Sequence, residues 1–331
     1  MDSITSSAKP LCDLCGAEGL LAQDKVADPD GCITGDWSFR RCSNAACGVF
    51  WLDPAPLESE LWKAYASYHT HTRKSSNKLT RAALSLAHRV LKFILLPVWL
   101  INGLKREADN LRFMTLADEP AGRLLDVGCG AGRFLNRMRK RGWEVEGVDF
   151  DPQAAQKVAA RYAIKTHVGD LVTCALPADS FDVVTMSQAV EHLFDPRKNL
   201  QECLRILKPG GLLVMTTPNV ASRGAALFGA FWRGWEPPRH LHLFSVASLR
   251  QLTEQCGFEV VEAGTFSAGS AVVYRVSRSN QLAHDGETAN PLALLFWGYR
   301  QELSEYLDQQ SACDTGQNVL IRARKPMQGA D

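Results

Sequence analysis

From residue 123 onward, short apolar runs and helix-period stretches take turns along the chain. Arg123–Val127 reads as a short buried strand, and Ala131–Arg141 as a helix with Phe134, Leu135 and Met138 at helical spacing. Glu144–Val148 alternates polar and apolar residues, and a third apolar run covers Ile164–Val168. Phe181–Met186 and Leu212–Thr216 read as a fourth and fifth strand, and Val246–Cys256 as a later helix. Strands separated by helical segments predict an α/β fold on an open, doubly wound sheet. Upstream, Trp37–Arg41 alternates like a strand and Arg81–Leu104 is strongly apolar. A second apolar stretch, Pro291–Tyr299, runs into a charged helix that extends through Asp308.

Polar positions of chemical interest crowd the end of the first of these strands. Within Leu124–Gly132 the carboxylate of Asp126 is followed by Gly128, Gly130 and Gly132, then by a helix start. Glycines lack Cβ, so they allow a tight turn and the close approach of a ligand. A dinucleotide turn would place its third glycine at position 133, where this chain has Arg133. A phosphate-cradling loop ending in Gly-Lys-Ser/Thr is absent from the turn. Asp126 would repel a pyrophosphate and attract an ammonium or sulfonium group. Asp149 follows the second strand, 21 positions after Gly128, where a carboxylate can accept both ribose hydroxyls. Asp170 follows the third run, within reach of an adenine amino group. These residues favour a cationic, phosphate-free nucleoside.

Together with the segments at 145–152, 169–171, 180–193 and 207–219, the turn resembles the class I S-adenosylmethionine-dependent methyltransferases, in order and in spacing, over roughly residues 105–325. The resemblance implies a seven-stranded, mostly parallel, Rossmann-like sheet and S-adenosylmethionine as cofactor. It implies cofactor contacts from Asp126, Gly128, Gly130, Gly132, Asp149, Phe150, Asp170, Leu171 and Ser187. Two other classes stay open at this stage: a nicotinamide oxidoreductase, against which Arg133 speaks, and a catalytically silent zinc-ribbon adaptor.

Length and charge narrow the partners. The 331 residues, 46% of them apolar, can bury a sizeable core as one large domain or two modest ones. Lys and Arg number 37 against 36 Asp and Glu, so the electrostatic attraction that dominates nucleic-acid affinity has no evident source. A small-molecule acceptor is expected instead. Met1–Pro10 is polar and lacks the apolar run of a signal peptide. Ten scattered cysteines point to a reducing, cytoplasmic setting, with thiols or metal ligands rather than disulfides.

Four of those cysteines are grouped. Cys12 and Cys15 precede Gly16, and after 26 residues Cys42 and Cys47 precede Gly48. Two such knuckles fit a small N-terminal ribbon holding one tetrahedral Zn2+ in a closed, structural site. Cys32 is off ligand spacing and reads as an ordinary thiol. The intervening loop carries Asp24, Asp28, Asp30 and Asp36, which suits packing or a substrate lid better than nucleic acid. Methyltransferases with a module of this kind are commonest among enzymes of sugars and lipid-linked envelope metabolites; an aromatic and proline-rich stretch follows it there, as at Phe50–Pro56, Tyr65 and Tyr68 here. The expected domains are a zinc-ribbon-like module over 1–56, a helical lid or linker over 57–110, and the cofactor-binding domain over 111–331.

Residues 82–104 are too short, and too interrupted by Lys92 and Pro97, to read as a membrane span. They fit either a lid or core helix, or a helix in the membrane interface with Arg81, His88, Arg89, Lys92, Lys105 and Arg106 at the headgroups. The interfacial reading makes the protein membrane-peripheral. The polar tract Ser75–Lys78 reads as a linker.

Acceptor chemistry is expected beyond the C-terminal strand ends. Glu191-His192-Leu193 follows the fourth strand, and Pro238-Arg239-His240-Leu241 comes later; similar segments flank the acceptor in methyltransferases of this type. His192 and His240 are candidate general bases, and Arg239 a candidate clamp for an acidic group. The alternative for His192 is a cap on the helix after strand four, and for His242 burial in helix–sheet packing. Enzymes that methylate base nitrogens carry Asn/Asp-Pro-Pro-Tyr/Phe after strand four, whereas this chain has Ser187-Gln188-Ala189-Val190. Oxygen methylation of a sugar, quinone-like phenol or carboxylate is therefore favoured, followed by carbon methylation of a nucleotide-linked sugar.

Overall fold

The computed structural model describes residues 4–29, 33–66, 78–310 and 314–327. Asp30, Cys32, Tyr68 and positions 75–77 of the polar linker lie outside the described residues. The chain divides into two compact bodies, one of Met1–Ala108, Asn219–Leu243 and Thr265–Gln317, the other of Asp109–Pro218, Phe244–Gly264 and Asn318–Asp331. The expected boundaries followed chain order. Instead, two stretches from the presumed cofactor domain group with the N-terminal body, because their helices and a short strand pair with elements there.

The second body is built on β6 (Arg123–Val127), β7 (Glu144–Asp149), β8 (Thr166–Val168), β9 (Phe181–Ser187), β10 (Leu207–Pro218), β12 (Glu259–Phe266) and β13 (Asn318–Arg324). Their order is β12-β13-β10-β9-β6-β7-β8. β10, β9, β6, β7 and β8 are parallel, and β13 runs antiparallel to β10. Leu124, Leu125, Phe181, Val184, Met186, Leu213 and Val214 are fully buried along these strands. This is the mostly parallel seven-stranded sheet the resemblance implied. Strand order reverses between β6 and β9, the place where open sheets of this kind bind ligands.

Local sequence explains the helices between the strands. α5 (Pro152–Tyr162) starts where the Asp151 carboxylate accepts from the Gln153 amide, and α6 (Pro196–Ile206) where Asp195 does the same for Lys198; both have proline at the first helical position. α8 (Val246–Gln255) begins with a reciprocal Ser245–Ser248 capping box. α3 (Leu104–Arg112) precedes the sheet and spans the boundary of the two bodies. α4 covers Arg133–Arg139, two residues shorter at each end than expected. Its late start has a backbone cause: Gly132 at φ 65 is left-handed and caps the helix.

The first body holds a four-stranded antiparallel sheet in the order β11-β4-β3-β2, from His242–Leu243, Phe50–Asp53, Trp37–Cys42 and Gly19–Val26. β1 (Ser6–Ser7) pairs with β5 (Ala55–Pro56) beside it, and α1 (Trp62–Ala66) follows. The ribbon expected over 1–56 is thus completed by a strand from residue 242. The helical part comprises α2 (Lys78–Asn102), α7 (Arg223–Phe228), α9 (Ser270–His284) and α10 (Pro291–Gln309). α10 matches the expected apolar stretch and charged continuation, capped by Asn290. Leu91 of α2 is buried against Ala271, Leu295 and Tyr299, with Ala87, Leu95 and Trp99 around them.

Candidate functional site

Asp126, the penultimate residue of β6, is in register with Thr185 of β9 across the reversal point. In-register neighbours of a parallel pair point to the same face, and the Thr185 hydroxyl donates to Asp126 Oδ1 at 2.7 Å. Asp126 is 4% exposed. Burial pushes its carboxyl up to about 7, against the Thr185 hydrogen bond and with help from the Asp149 charge. A carboxyl poised in this way becomes a full anion when a cation arrives. Thr185 was missed in the sequence, although a lone hydroxyl within the apolar strand Val183–Met186 was the available signal.

Asp149 ends β7 and reaches back to the glycine turn. Its Oδ2 accepts from the Gly130 amide at 2.7 Å and its Oδ1 from the Asp151 amide at 3.0 Å. Burial raises its carboxyl above the ordinary range, and the two amides pull it back. Each oxygen retains a lone pair for a hydroxyl. The Gly130 amide, which a diphosphate would need as a donor, is already committed to a carboxylate.

The C-terminal ends of parallel strands share one rim, which carries the other expected cofactor residues. Phe150 follows β7 and is half exposed, Leu171 is buried, and Ser187 ends β9 with its hydroxyl 3.5 Å from that of Thr216. Asp170 stands after β8 in a turn where its Oδ1 accepts from the Val172 amide.

Gly132 is the turn's tightest point. A Cβ there would lie 2.8 Å from Val158 Cγ2 of α5, and φ is +65. Gly132→Ala is therefore expected to cost about 1–3 kcal/mol and to weaken cofactor binding, measured by thermal denaturation and by titration.

On the acceptor side, His192 closes a 3₁₀ turn, Val190–His192, directly after β9 and is partly exposed. It does not cap the following helix, since Asp195 does. Its neighbour Glu191 is fully buried and accepts from the Thr217 hydroxyl at 2.9 Å.

Arg239 and His240 belong to the first body. Arg239 is 0% exposed, and its guanidinium is held by Asp28 at 2.6 Å and Glu236 at 2.9 Å. The expected clamp on an acidic acceptor is therefore corrected: this arginine neutralises two carboxylates of its own body. Asp28, from the acidic loop expected to serve in packing or as a lid, is buried by the same pairing. His240 is 5% exposed, with Nδ1 donating to the Gly234 carbonyl at 2.7 Å and Nε2 facing Glu236 at 3.6 Å. Although burial works the other way, the charges of His240, Arg233 and Arg239 hold Glu236 far below the usual carboxylate range. A ring placed between a carbonyl and a carboxylate braces the 234–240 turn. His242 is buried in β11, which pairs with β4, and its Nε2 lies 3.7 Å from Asp13.

The four grouped cysteines converge. Their sulfurs all lie within 4.8 Å of one another, with Cys12–Cys47 at 3.7 Å and Cys15–Cys42 at 3.4 Å. Tetrahedral Zn–S bonds of about 2.3 Å require sulfurs about 3.8 Å apart, so the donor set fits. Each knuckle is closed by its own backbone, with the Gly16 amide donating to Cys12 O and the Gly48 amide to Asn44 O. Thiols this close suppress one another's ionisation: Cys47 and burial push Cys12 far up, and burial and Cys15 push Cys42 up to about 11. A dication would reverse that.

Residues 102–263 match a family model described as a methyltransferase domain. A Mycolicibacterium smegmatis protein named "Probable S-adenosylmethionine-dependent methyltransferase" is 35% identical over 153 residues, covering 45% of this chain and 56% of that protein. A "Ubiquinone biosynthesis O-methyltransferase" of Xanthomonas axonopodis pv. citri is 36% identical over 128 residues, covering 36% and 52%. The chain thus spans about half the length of the curated relatives it matches. A solved S-adenosylmethionine dependent methyltransferase from Mesorhizobium loti is similar at 22% identity and a TM-score of 0.47, over 67% of this chain and 99% of that one. With the acid pair, the glycine turn and the sheet order already in place, the match over 102–263 identifies this chain as carrying a class I S-adenosylmethionine-dependent methyltransferase domain.

Proposed function

We propose that the protein transfers a methyl group from S-adenosylmethionine to an oxygen of a small acceptor, of the class of sugars, lipid-linked intermediates or quinone-like phenols. The observation that carries this reading is the buried acid pair, Asp126 and Asp149, on either side of a glycine turn at the point of strand reversal. Support for oxygen comes from the names of relatives in ubiquinone biosynthesis and from the lack of an Asn/Asp-Pro-Pro-aromatic segment after β9.

When bound, S-adenosylmethionine supplies an activated methyl group on a sulfonium, so the protein's task is alignment and proton removal. Asp126 and Asp149 hold a cationic nucleoside, and the Asp149–Gly130 bond fixes the turn against the end of β7. His192, partly exposed after β9, takes the acceptor's hydroxyl proton as the new O–C bond forms. Cys12, Cys15, Cys42 and Cys47 hold one structural Zn2+ in the first body. The reducing setting that zinc thiolates need fits a cytoplasmic location.

Calorimetry with S-adenosylmethionine, S-adenosylhomocysteine and NAD tests the cofactor. The first two bind and NAD does not; binding of NAD in their place overturns the reading. Incubation with methyl-labelled cofactor and a cell-envelope extract then identifies the acceptor. His192→Ala is expected to cut turnover by about 10²–10⁴-fold while leaving S-adenosylhomocysteine affinity unchanged. If both His192→Ala and His240→Ala turn over normally, no histidine base operates here.

A further inference from the structure

α2 buries only one of its faces. At about 100° per residue, Ala87, Leu91, Leu95 and Trp99 form the stripe that packs on α9 and α10. Leu86, Val90, Phe93, Ile94, Leu100 and Ile101 fall on an arc about 120° wide on the opposite side. All six are exposed, with Phe93 at 78% and Ile101 at 84%. Within the window Leu84–Asn102, of mean hydropathy 1.7, 6% of the residues are buried. The helix runs unbroken through Lys92 and Pro97, longer than expected, and among the described residues it is the one helix long and apolar enough to cross a membrane, by length and composition alone.

Charge and packing decide how such a helix meets lipid. Arg89 and Lys92 are exposed on the flank between the packed stripe and the apolar arc, and Lys78–Asn102 contains no Asp or Glu. An apolar arc beside a basic flank is the pattern of a helix lying in the plane of a membrane interface. Crossing the bilayer would strip Leu91 from Ala271, Leu295 and Tyr299 and carry Lys92 into hydrocarbon. A second copy docking arc to arc would bring two basic flanks together. We infer that α2 is a membrane-docking helix, inserting Phe93, Ile94 and Ile101 among the acyl chains of an anionic leaflet while Arg89 and Lys92 meet its phosphates.

The inference stands whether or not the methyl-transfer reading holds, because its readout is lipid binding by the full chain. Vesicles of phosphatidylcholine alone, and of phosphatidylcholine with phosphatidylglycerol, are floated with the protein at low and high salt. The protein is expected to float with the anionic vesicles, less so in high salt, and to be extracted by alkaline carbonate. Phe93→Ser with Ile101→Ser should reduce partitioning on the order of a hundredfold, and Arg89→Glu with Lys92→Glu about tenfold or more. Melting temperature and S-adenosylhomocysteine affinity of both variants should match the parent, since these side chains are exposed. Equal flotation of parent and variants, or equal binding to both vesicle types, overturns the proposal. So does resistance to carbonate, which means a spanning helix, or a dimer that Phe93→Ser with Ile101→Ser dissociates without any vesicle binding.

Discussion

Serine at Cys12 and Cys42 together is expected to abolish the cooperative melting of the first body. A structural Zn2+ supplies on the order of 10 kcal/mol, comparable to the whole stability of a domain. The outer strand of the ribbon adds little apolar burial of its own: Leu20 and Leu21 of β2 face outward at 62% and 60% exposure. Near-ultraviolet circular dichroism through a temperature ramp, beside metal analysis of the purified protein, checks this. One zinc per parent chain and none in the variant is the expected pairing. A variant that melts like its parent means that the four thiols hold no metal. Cofactor titration of the same variant reports on the second body separately.

Asp126 is expected to impose opposite pH trends on stability and on cofactor affinity. Its carboxyl titrates near 7 when folded and near 3.8 when unfolded, so between those values the folded form binds more protons. Stability is then fully present below the lower value and falls as pH rises to about 7, by up to about 4 kcal/mol. Affinity runs the other way, since a sulfonium nucleoside selects the ionised carboxylate. At about pH 6 binding should release close to one proton, and at about pH 8 almost none. Calorimetry in buffers of different ionisation enthalpy counts that proton. Asp126→Asn keeps an acceptor for the Thr185 hydroxyl, removes this carboxyl's share of the stability slope while leaving that of the buried Glu302 and Glu305, and lifts the melting temperature at about pH 8. It should also weaken S-adenosylmethionine binding about a hundredfold, as expected for losing an ion pair in a buried site. Retained affinity with an unchanged pH profile would remove Asp126 from the site.

Sequence was most legible where the determinants are local. The turn from Asp126 to Gly132, the strands on either side of it and the acidic residue ending β7 were readable because a few neighbouring residues define each. α4 was read too long because helical spacing continues through Ala131 and Arg141, whereas the left-handed Gly132 decides the start. Arg239 was misread because its partner Asp28 lies 211 positions away, and chain order gives no sign of that pairing. α9 was not foreseen for a related reason. Its buried Tyr274 hydroxyl donates to Glu305 of α10, and Gly269 at its start donates to Glu302, so distant residues hold it in place. Within the zinc module, cysteine spacing announced the ligands, while nothing local announced that residue 242 would finish the sheet.

That last strand has a consequence for how the protein is made. During synthesis the cysteine knuckles and the three strands around them leave the ribosome early, while His242 and Leu243 are still untranslated. Until they emerge, the outer edge of β4 has unpaired backbone groups, and the Leu52 amide lacks the Leu241 carbonyl that it later meets. A nascent chain stalled before Asn219 displays that open edge to any passing polypeptide, so the vulnerable interval in this protein's biogenesis lies in the middle of translation.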